Sequence, residues 1–343
     1  MQQDQTIKRK SQHLDIALNK NVESGLTTGF ESFHFKHCAL PEINFNEIDT
    51  TTTFLGKPIQ APLLISSMTG GTELAFKVNK HLATAAEKRG WVMAVGSTRA
   101  GVENQKVAHT FQIRKYAPSI PILTNLGAVQ LNLGYGVEEA RHSVEMVQAD
   151  ALILHLNGLQ EVFQKEGDTD FSDLLKKIEK LCSDIEVPVG VKEVGWGIDG
   201  PTAQKLFNAG VSFVDVAGAG GTSWVQVEKY RLEDQVKREA AEAFVDWGIP
   251  TAICLQEAVA MNPDKTILAS GGLRNGVDVA KALALGASLG GFGRSLLRGA
   301  FESSDAVQQV LGRIEFELRT AMFAIGAHTL DELKQTDRLI SMI

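Results

Sequence analysis

The chain has 343 residues, of which 44% are hydrophobic and 22% charged, and 34 basic against 41 acidic residues give a formal net charge of −7. That length suits two average domains or one α/β barrel with extensions, and the composition is that of an ordinary globular protein. An acidic chain has no overall pull toward nucleic acid or an anionic membrane, so an anionic small molecule would have to be held by a few local cations.

Cys38, Cys182 and Cys254 are odd in number and widely spaced, which gives neither a disulfide framework nor a zinc pattern. They read as reduced thiols of a cytoplasmic protein. The segment Met1–Lys10 is polar and lacks the apolar core of a signal peptide. No run approaches the roughly 18–20 apolar residues of a membrane span.

Residues 1–20 read as a charged arm turning into a short helix, on which Arg9 and His13 share a face and Lys10 lies beside them. Such a cluster is either a solvated basic arm or an anion clamp that folds over a site. Residues 21–58 read as a loop-rich extension with a weak hairpin around 43–54. The expected division is an arm and extension over 1–58 and a barrel with C-terminal helices over 59–343.

From Ala61 onward, apolar runs end in polar or Gly-rich tips, and a helical stretch follows each. The runs are 62–67, 91–95, 120–123, 151–156, 187–191, 211–216, 266–269 and 287–292. Helices are expected up to about Lys88 after the first run, then near 107–116, 137–148, 171–182, 201–209, 251–261 and 277–285. A longer insertion fills 225–250, and helical patterns run to the chain end. Eight strand-helix units over about 240 residues predict a (β/α)8 TIM barrel with an N-terminal arm and a C-terminal helical extension. A doubly wound open sheet fits eight even units less well, and no G-x-G-x-x-G follows the first strand.

In such a barrel the ligand end is the carboxyl end of the strands. The fourth run closes with His155, Asn157, Gln160 and Glu161, four polar groups within seven positions. Glu161 supports magnesium only if a ligand brings phosphate oxygens, because Mg²⁺ keeps several waters and recruits few side chains. The alternatives are a carboxylate complementing a helix dipole and, for His155, a satisfied barrel-interior histidine. The seventh and eighth tips, Gly271-Gly272-Leu273-Arg274 and Gly291-Phe292-Gly293-Arg294, form the glycine turns that bring backbone N–H groups onto a phosphate. Lys192 ends the fifth strand, where it is either an exposed strand-end charge or, in a barrel that holds a flavin, a cation that stabilises negative charge on the reduced ring. The Met68-Thr69-Gly70-Gly71 tip, Ser97 and Asn125 add small or polar groups around the same mouth.

These tips carry a resemblance. Arg9-Lys10-x-x-His13, Met68-Thr69-Gly70-Gly71, Gly96-Ser97-x-Arg99, Asn125-Leu-Gly127, His155-Leu-Asn157-x-x-Gln160-Glu161, Val191-Lys192-Glu193-x-Gly195 and the Gly218–Trp224 loop, with both late glycine turns, resemble type 2 isopentenyl diphosphate isomerases, the flavin-dependent form. The resemblance implies isomerisation of isopentenyl to dimethylallyl diphosphate, with FMN active when reduced, Mg²⁺, NADPH as reductant and a homo-oligomer, a tetramer or larger. By residue, it places Arg9, Lys10, His13, Ser97, Arg99 and Gln160 on the substrate, with Glu161 on the metal and Gln160, His155 and Asn157 beside the reacting alkene. FMN would meet Met68, Thr69, Gly70, Ser97, Asn125, Lys192, Thr222, Gly271, Gly272, Gly293 and Arg294. Thr98 and Ser295 depart from the residues more usual there, Gln and Pro. With no obvious carboxylate pair for the hydrocarbon end, the flavin itself is the expected acid-base catalyst, and Gln160 orients groups or relays a proton. The rival within flavin barrels is an oxidase or dehydrogenase, which would want a His-Arg pair near the late strands or a nucleophilic Cys on a mobile loop. The stretch 217–224 contains neither Cys nor His.

Overall fold

The computed structural model describes residues 2–342, with side chains from residue 9 onward. Its centre is a closed parallel barrel of eight strands. These are β1 Leu63–Ile65, β2 Val92–Ala94, β3 Ile122–Gly127, β4 Ala151–His155, β5 Val189–Lys192, β6 Phe213–Asp215, β7 Thr266–Ala269 and β8 Leu289–Phe292. Each pairs with the next, and β8 returns to β1, with Gly290 opposite Leu63 and Phe292 opposite Ile65. The strands are apolar apart from Thr124 and Thr266 and the polar residues near their carboxyl ends (Asn125, His155, Lys192, Asp215), because both faces are covered. Alternate residues divide between them: Leu64, Val92, Leu123, Ile153 and Leu268 fill the interior, while Leu63, Ile65, Met93, Ile122 and Leu152 pack under the outer helices.

The floor of the barrel is a hairpin, Thr52–Phe54 against Lys57–Ile59. It lies further along the chain than expected. Residues 45–47 instead make a 3₁₀ turn capped by the Asn44 side chain. The reversal occurs at Leu55-Gly56, both left-handed (φ 52 and 74), a two-residue turn whose twist matches the strands. Phe54 and Ile59 join the interior cluster, and the Phe54 ring meets Phe213 edge-on at 5.4 Å.

Three other expectations need correction. The helix placed at 107–116 is broken into short pieces, Arg99–Glu103, Gln105–Ala108 and two 3₁₀ turns. The Asn104 side chain accepts from Lys106 N and restarts the chain there, and Phe111 is drawn out of helical phase into the core. The helix expected at 171–182 spans Leu174–Asp184, and a separate short one, Gly158–Phe163, directly follows β4. The chain end is not wholly helical. After Ser304–Ile325 and Leu330–Lys334, residues Leu339–Ser341 pair antiparallel with Phe33–Phe35 and tie the tail to the N-terminal extension. The arm helix runs over Gln2–Asn19, with its basic face at the barrel mouth. The insertion contributes the helices Trp224–Lys229 and Gln235–Ala240.

Candidate active site

A cavity of about 660 Å³ opens where the strands end. Every strand tip reaches it, and the arm helix forms one wall. Of the residues assigned to substrate, metal, flavin or alkene, all line it except Gly70; among the other motif residues, Gly71, Gly127, Glu193 and Gly218 do not. Gly70 packs instead against Phe111, so closely that a Cβ would sit 2.0 Å from that ring.

At one end the cavity is cationic. Arg9, Lys10 and His13 come from the arm and Arg99 from the β2 tip. Lys10 Nζ donates to Ser97 O at 2.7 Å and lies 5.2 Å from the centre of the Phe111 ring. Burial, with Arg9 close by, pulls the Lys10 pKa down to about 7. Arg99 is clamped by two carboxylates, its Nε donating to Glu103 at 2.7 Å and its Nη1 to Asp168 at 2.9 Å. Glu161 faces these groups. Its carboxylate accepts from Asn157 Nδ2 at 2.7 Å, Asp168 N at 2.9 Å and Gln164 Nε2 at 3.1 Å, while burial raises its pKa. Asn157 Oδ1 is buried with no hydrogen-bond partner among the described residues, an acceptor open to a ligand in the cavity that Asn157 lines.

Sequence reasoning missed Glu228. This fully buried carboxylate, in the insertion helix, accepts from Gln160 Nε2 at 3.1 Å and from Arg231 Nη1. His13 Nε2 lies 2.9 Å from it, but off the direction of a good hydrogen bond. Burial opposes the charged form, yet His13 and Arg231 outweigh it and hold the Glu228 carboxyl at about 2. Gln160 is thus held from both sides, since its Oε1 accepts from Asn157 at 3.3 Å. The signal available was an acid and an arginine three apart, Glu228 and Arg231, after an apolar helical turn.

Across the cavity the tips of β1, β3, β5, β7 and β8 form a second, less charged surface. Asn125 Nδ2 donates to Ser67 Oγ at 3.1 Å, so its Oδ1 accepts from His155 Nδ1 at 2.8 Å. Burial, then Lys192 and Lys10, keeps that imidazole neutral. Lys192 is buried at the end of β5, its Nζ donating to Glu193 O at 2.5 Å, and burial lowers its pKa against the opposing charges of Asp215 and Glu193. Asp215 accepts from Ser270 Oγ at 2.9 Å and from Ala217 N, which holds Ala217 in a left-handed conformation (φ 41) at the β6 tip. The turn Gly271-Gly272 has φ of 100 and 86, and a Cβ at Gly271 would strike Gly218 O at 2.2 Å. Only glycine fits there. Ser66 Oγ, buried in the same wall, has no partner among the described residues. An unfilled hydroxyl, a row of backbone-lined tips, a buried lysine and two glycine turns suit a planar, phosphorylated cofactor.

Comparison with known proteins agrees with this geometry. The family model for FMN-dependent dehydrogenases matches residues 17–125 and 128–340. A relative from Oceanobacillus iheyensis, isopentenyl-diphosphate delta-isomerase, is 50% identical over 335 residues, which is 97% of this chain and 96% of that one. The protein of the same name from a Nostoc species is 49% identical, over 98% of this chain and 96% of that one. Among solved structures, a mandelate oxidase variant superposes with a TM-score of 0.66 at 18% identity (99% of this chain, 98% of that one). A flavocytochrome b2 variant does so at 0.69 and 19% (96% and 82%). These last likenesses establish the barrel alone. By the near-full-length identity, the chain belongs to the isopentenyl-diphosphate delta-isomerase family, built on the barrel of the FMN-dependent dehydrogenases.

Proposed function

We propose that the cavity converts isopentenyl diphosphate to dimethylallyl diphosphate, adding a proton at one carbon and removing one at another, with reduced FMN and Mg²⁺ bound and NADPH as reductant. One observation supports the reading: a single cavity is lined by the arm cations with Arg99 on one side and by the glycine turns of β7 and β8 on another. One side suits the diphosphate of a substrate and the other the phosphate of FMN.

The residues take the following roles. Arg9, Lys10, His13 and Arg99 grip the diphosphate, and Ser97 helps position it. Glu161 holds Mg²⁺. Among the described residues no three His, Cys, Asp or Glu side chains converge as a metal site, so the ion needs phosphate oxygens to complete its shell. Met68, Thr69, Ser97, Asn125, Lys192, Thr222, Gly271, Gly272, Gly293 and Arg294 hold FMN, while Gly70, behind them, gives Phe111 room and is not a contact. Bound reduced FMN supplies an electron-rich ring that can stabilise positive charge and exchange a proton. His155 and Asn157 line the alkene, and Gln160, fixed between Asn157 and Glu228, orients the reacting groups or relays a proton. Residues 1–58 form the arm and extension on the barrel of 59–343, and within them the arm helix is the part that covers the mouth. The protein works in the cytoplasm as a homo-oligomer, a tetramer or larger, which light scattering tests.

A cysteine-based dehydrogenase is poorly supported, because burial pushes the Cys254 thiol up to about 12 within the helix Thr251–Met261. The deciding experiment reduces the purified protein anaerobically with NADPH and Mg²⁺ and adds isopentenyl diphosphate. Conversion without net NADPH consumption supports isomerase; stoichiometric oxidation or inertness rejects it.

A further inference from the structure

The phosphate end of the cavity contains an acid where anion binding asks only for bases. Arg274 follows the Gly271-Gly272 turn and Arg294 follows Gly293, and both line the cavity. Between them stands Glu23. One of its carboxylate oxygens is 3.6 Å from Arg274 Nη2 and the other 3.6 Å from Arg294 Nη1. Both distances exceed a charge-assisted hydrogen bond of roughly 2.7–2.9 Å, so the carboxylate bridges the pair without closing on either.

Glu23 is not placed there by a loose loop. The backbone of 22–24 runs antiparallel to 221–223, with Ser24 N donating to Gly221 O and Ser223 N to Val22 O, each at 2.8 Å, and Glu23 opposite Thr222. Arg294 is fixed as well, since its Nε donates to Ala17 O, in the last turn of the arm helix, at 2.9 Å. A backbone pairing and a helix end thus hold one negative charge between two positive ones.

We propose that Glu23 is a built-in counter-anion of the phosphate subsite, sharing Arg274 and Arg294 with the terminal phosphate of the flavin and so limiting how tightly the phosphorylated cofactor is held. This rests on the reading that FMN occupies the cavity. Two guanidinium groups and one carboxylate leave one net positive charge to meet a phosphate of about −1.5 to −2. Glu23→Gln doubles that charge and keeps the backbone pairing with 221–223. The side chains are partly exposed, at 54% for Glu23, 65% for Arg274 and 30% for Arg294, so the gain is that of a screened interaction. It amounts to roughly threefold to tenfold in affinity at low ionic strength. A residue that merely steadied the two arginines would act in the opposite sense, its loss weakening the cofactor.

The test titrates full-length protein, stripped of flavin, with FMN and with riboflavin, following flavin fluorescence at low and high ionic strength. Wild type is expected to prefer FMN. Glu23→Gln is expected to bind FMN roughly threefold to tenfold more tightly at low salt, with the gap narrowing at high salt and riboflavin unaffected. In an Arg274→Gln background the gain should shrink. An FMN affinity that is unchanged or weaker in Glu23→Gln, or an equal shift for riboflavin, overturns the proposal while leaving the cofactor assignment intact. A wild-type protein that binds neither flavin overturns the assignment and the proposal together.

Discussion

His155 measures how strongly the cavity resists charge. Its ring ends β4, hydrogen-bonded through Nδ1 to Asn125 Oδ1. Burial first, then Lys192 and Lys10, lowers its pKa from 6.5 to about 3. A histidine depressed in this way is neutral in the folded protein and takes up a proton more readily when unfolded. The stability it contributes is therefore complete above pH ~6.5 and is lost progressively as pH falls from there toward 3. The gap of about 3.5 pH units corresponds to about 5 kcal/mol at the acid end, of which about 2 kcal/mol is lost by pH 5. His155→Gln abolishes the titration and retains an amide N–H for Asn125. Urea unfolding of flavin-free wild type and variant at pH 7 and pH 5 isolates the effect, because groups that do not sense residue 155 titrate alike in both. Wild type should lose about 2 kcal/mol more than the variant between the two pH values. Equal acid losses would refute the reasoning, since the imidazole would then have to be hydrated or already charged in the folded state.

Other outcomes follow from the same geometry. Lys192→Ala should weaken FMN binding about tenfold or more and make the bound flavin harder to reduce, by loss of a buried charge-assisted contact; unchanged affinity and potential would remove Lys192 from the cofactor site. Gln160→Ala, assayed with FMN already reduced, should lower kcat about tenfold or more, as expected for a lost proton-transfer or orienting group; undiminished turnover excludes it from the chemistry. Because the Lys10 pKa is held near 7, KM for the diphosphate should rise above that pH, and Lys10→Arg should flatten the rise; a rise identical in both proteins assigns it elsewhere. Phe54→Ala should cost about 3–5 kcal/mol in urea unfolding, because the ring closes the barrel floor against Phe213; a loss under about 1 kcal/mol would show that the hairpin does not seal the core.

The barrel was legible because each strand announces itself twice, as an apolar run and as the polar or glycine tip that ends it. Lys192, Asn125 and His155 could be placed on the cavity from that rule alone. What stayed hidden depends on contacts between distant parts of the chain. Glu228 reaches Gln160 across 68 residues, and its helix lies in an insertion with no barrel period to locate it. The Leu339–Ser341 strand exists only because Phe33–Phe35 offers it an edge some 300 residues earlier. The floor hairpin was misplaced because its reversal uses Leu55 at positive φ, a conformation rare for leucine, in place of the Asn or Asp that marks such turns. Gly70 followed the motif, but its role is to admit Phe111 rather than to face the cavity.

On the proposed reading, the arm is what makes the mouth receptive to a diphosphate. Without it, the fixed charges at that end are Arg99 and Arg231 against Glu103, Asp168, Glu161 and Glu228, two positive and four negative. Such a site repels an anion. Arg9 and a protonated Lys10, whose pKa lies at about 7, bring the sum to zero, and on the proposed reading a magnesium ion arriving with the diphosphate would take it positive. The arm is in turn anchored by contacts that need the barrel: Lys10 on Ser97 O, His13 edge-on to Trp224 at 5.3 Å and the Ala17 carbonyl on Arg294. Arm docking and substrate binding are therefore linked, each strengthening the other by the same factor. Because Arg294, which holds the Ala17 carbonyl, is also proposed to meet FMN, docking of the arm would be tied to the guanidinium that serves the cofactor.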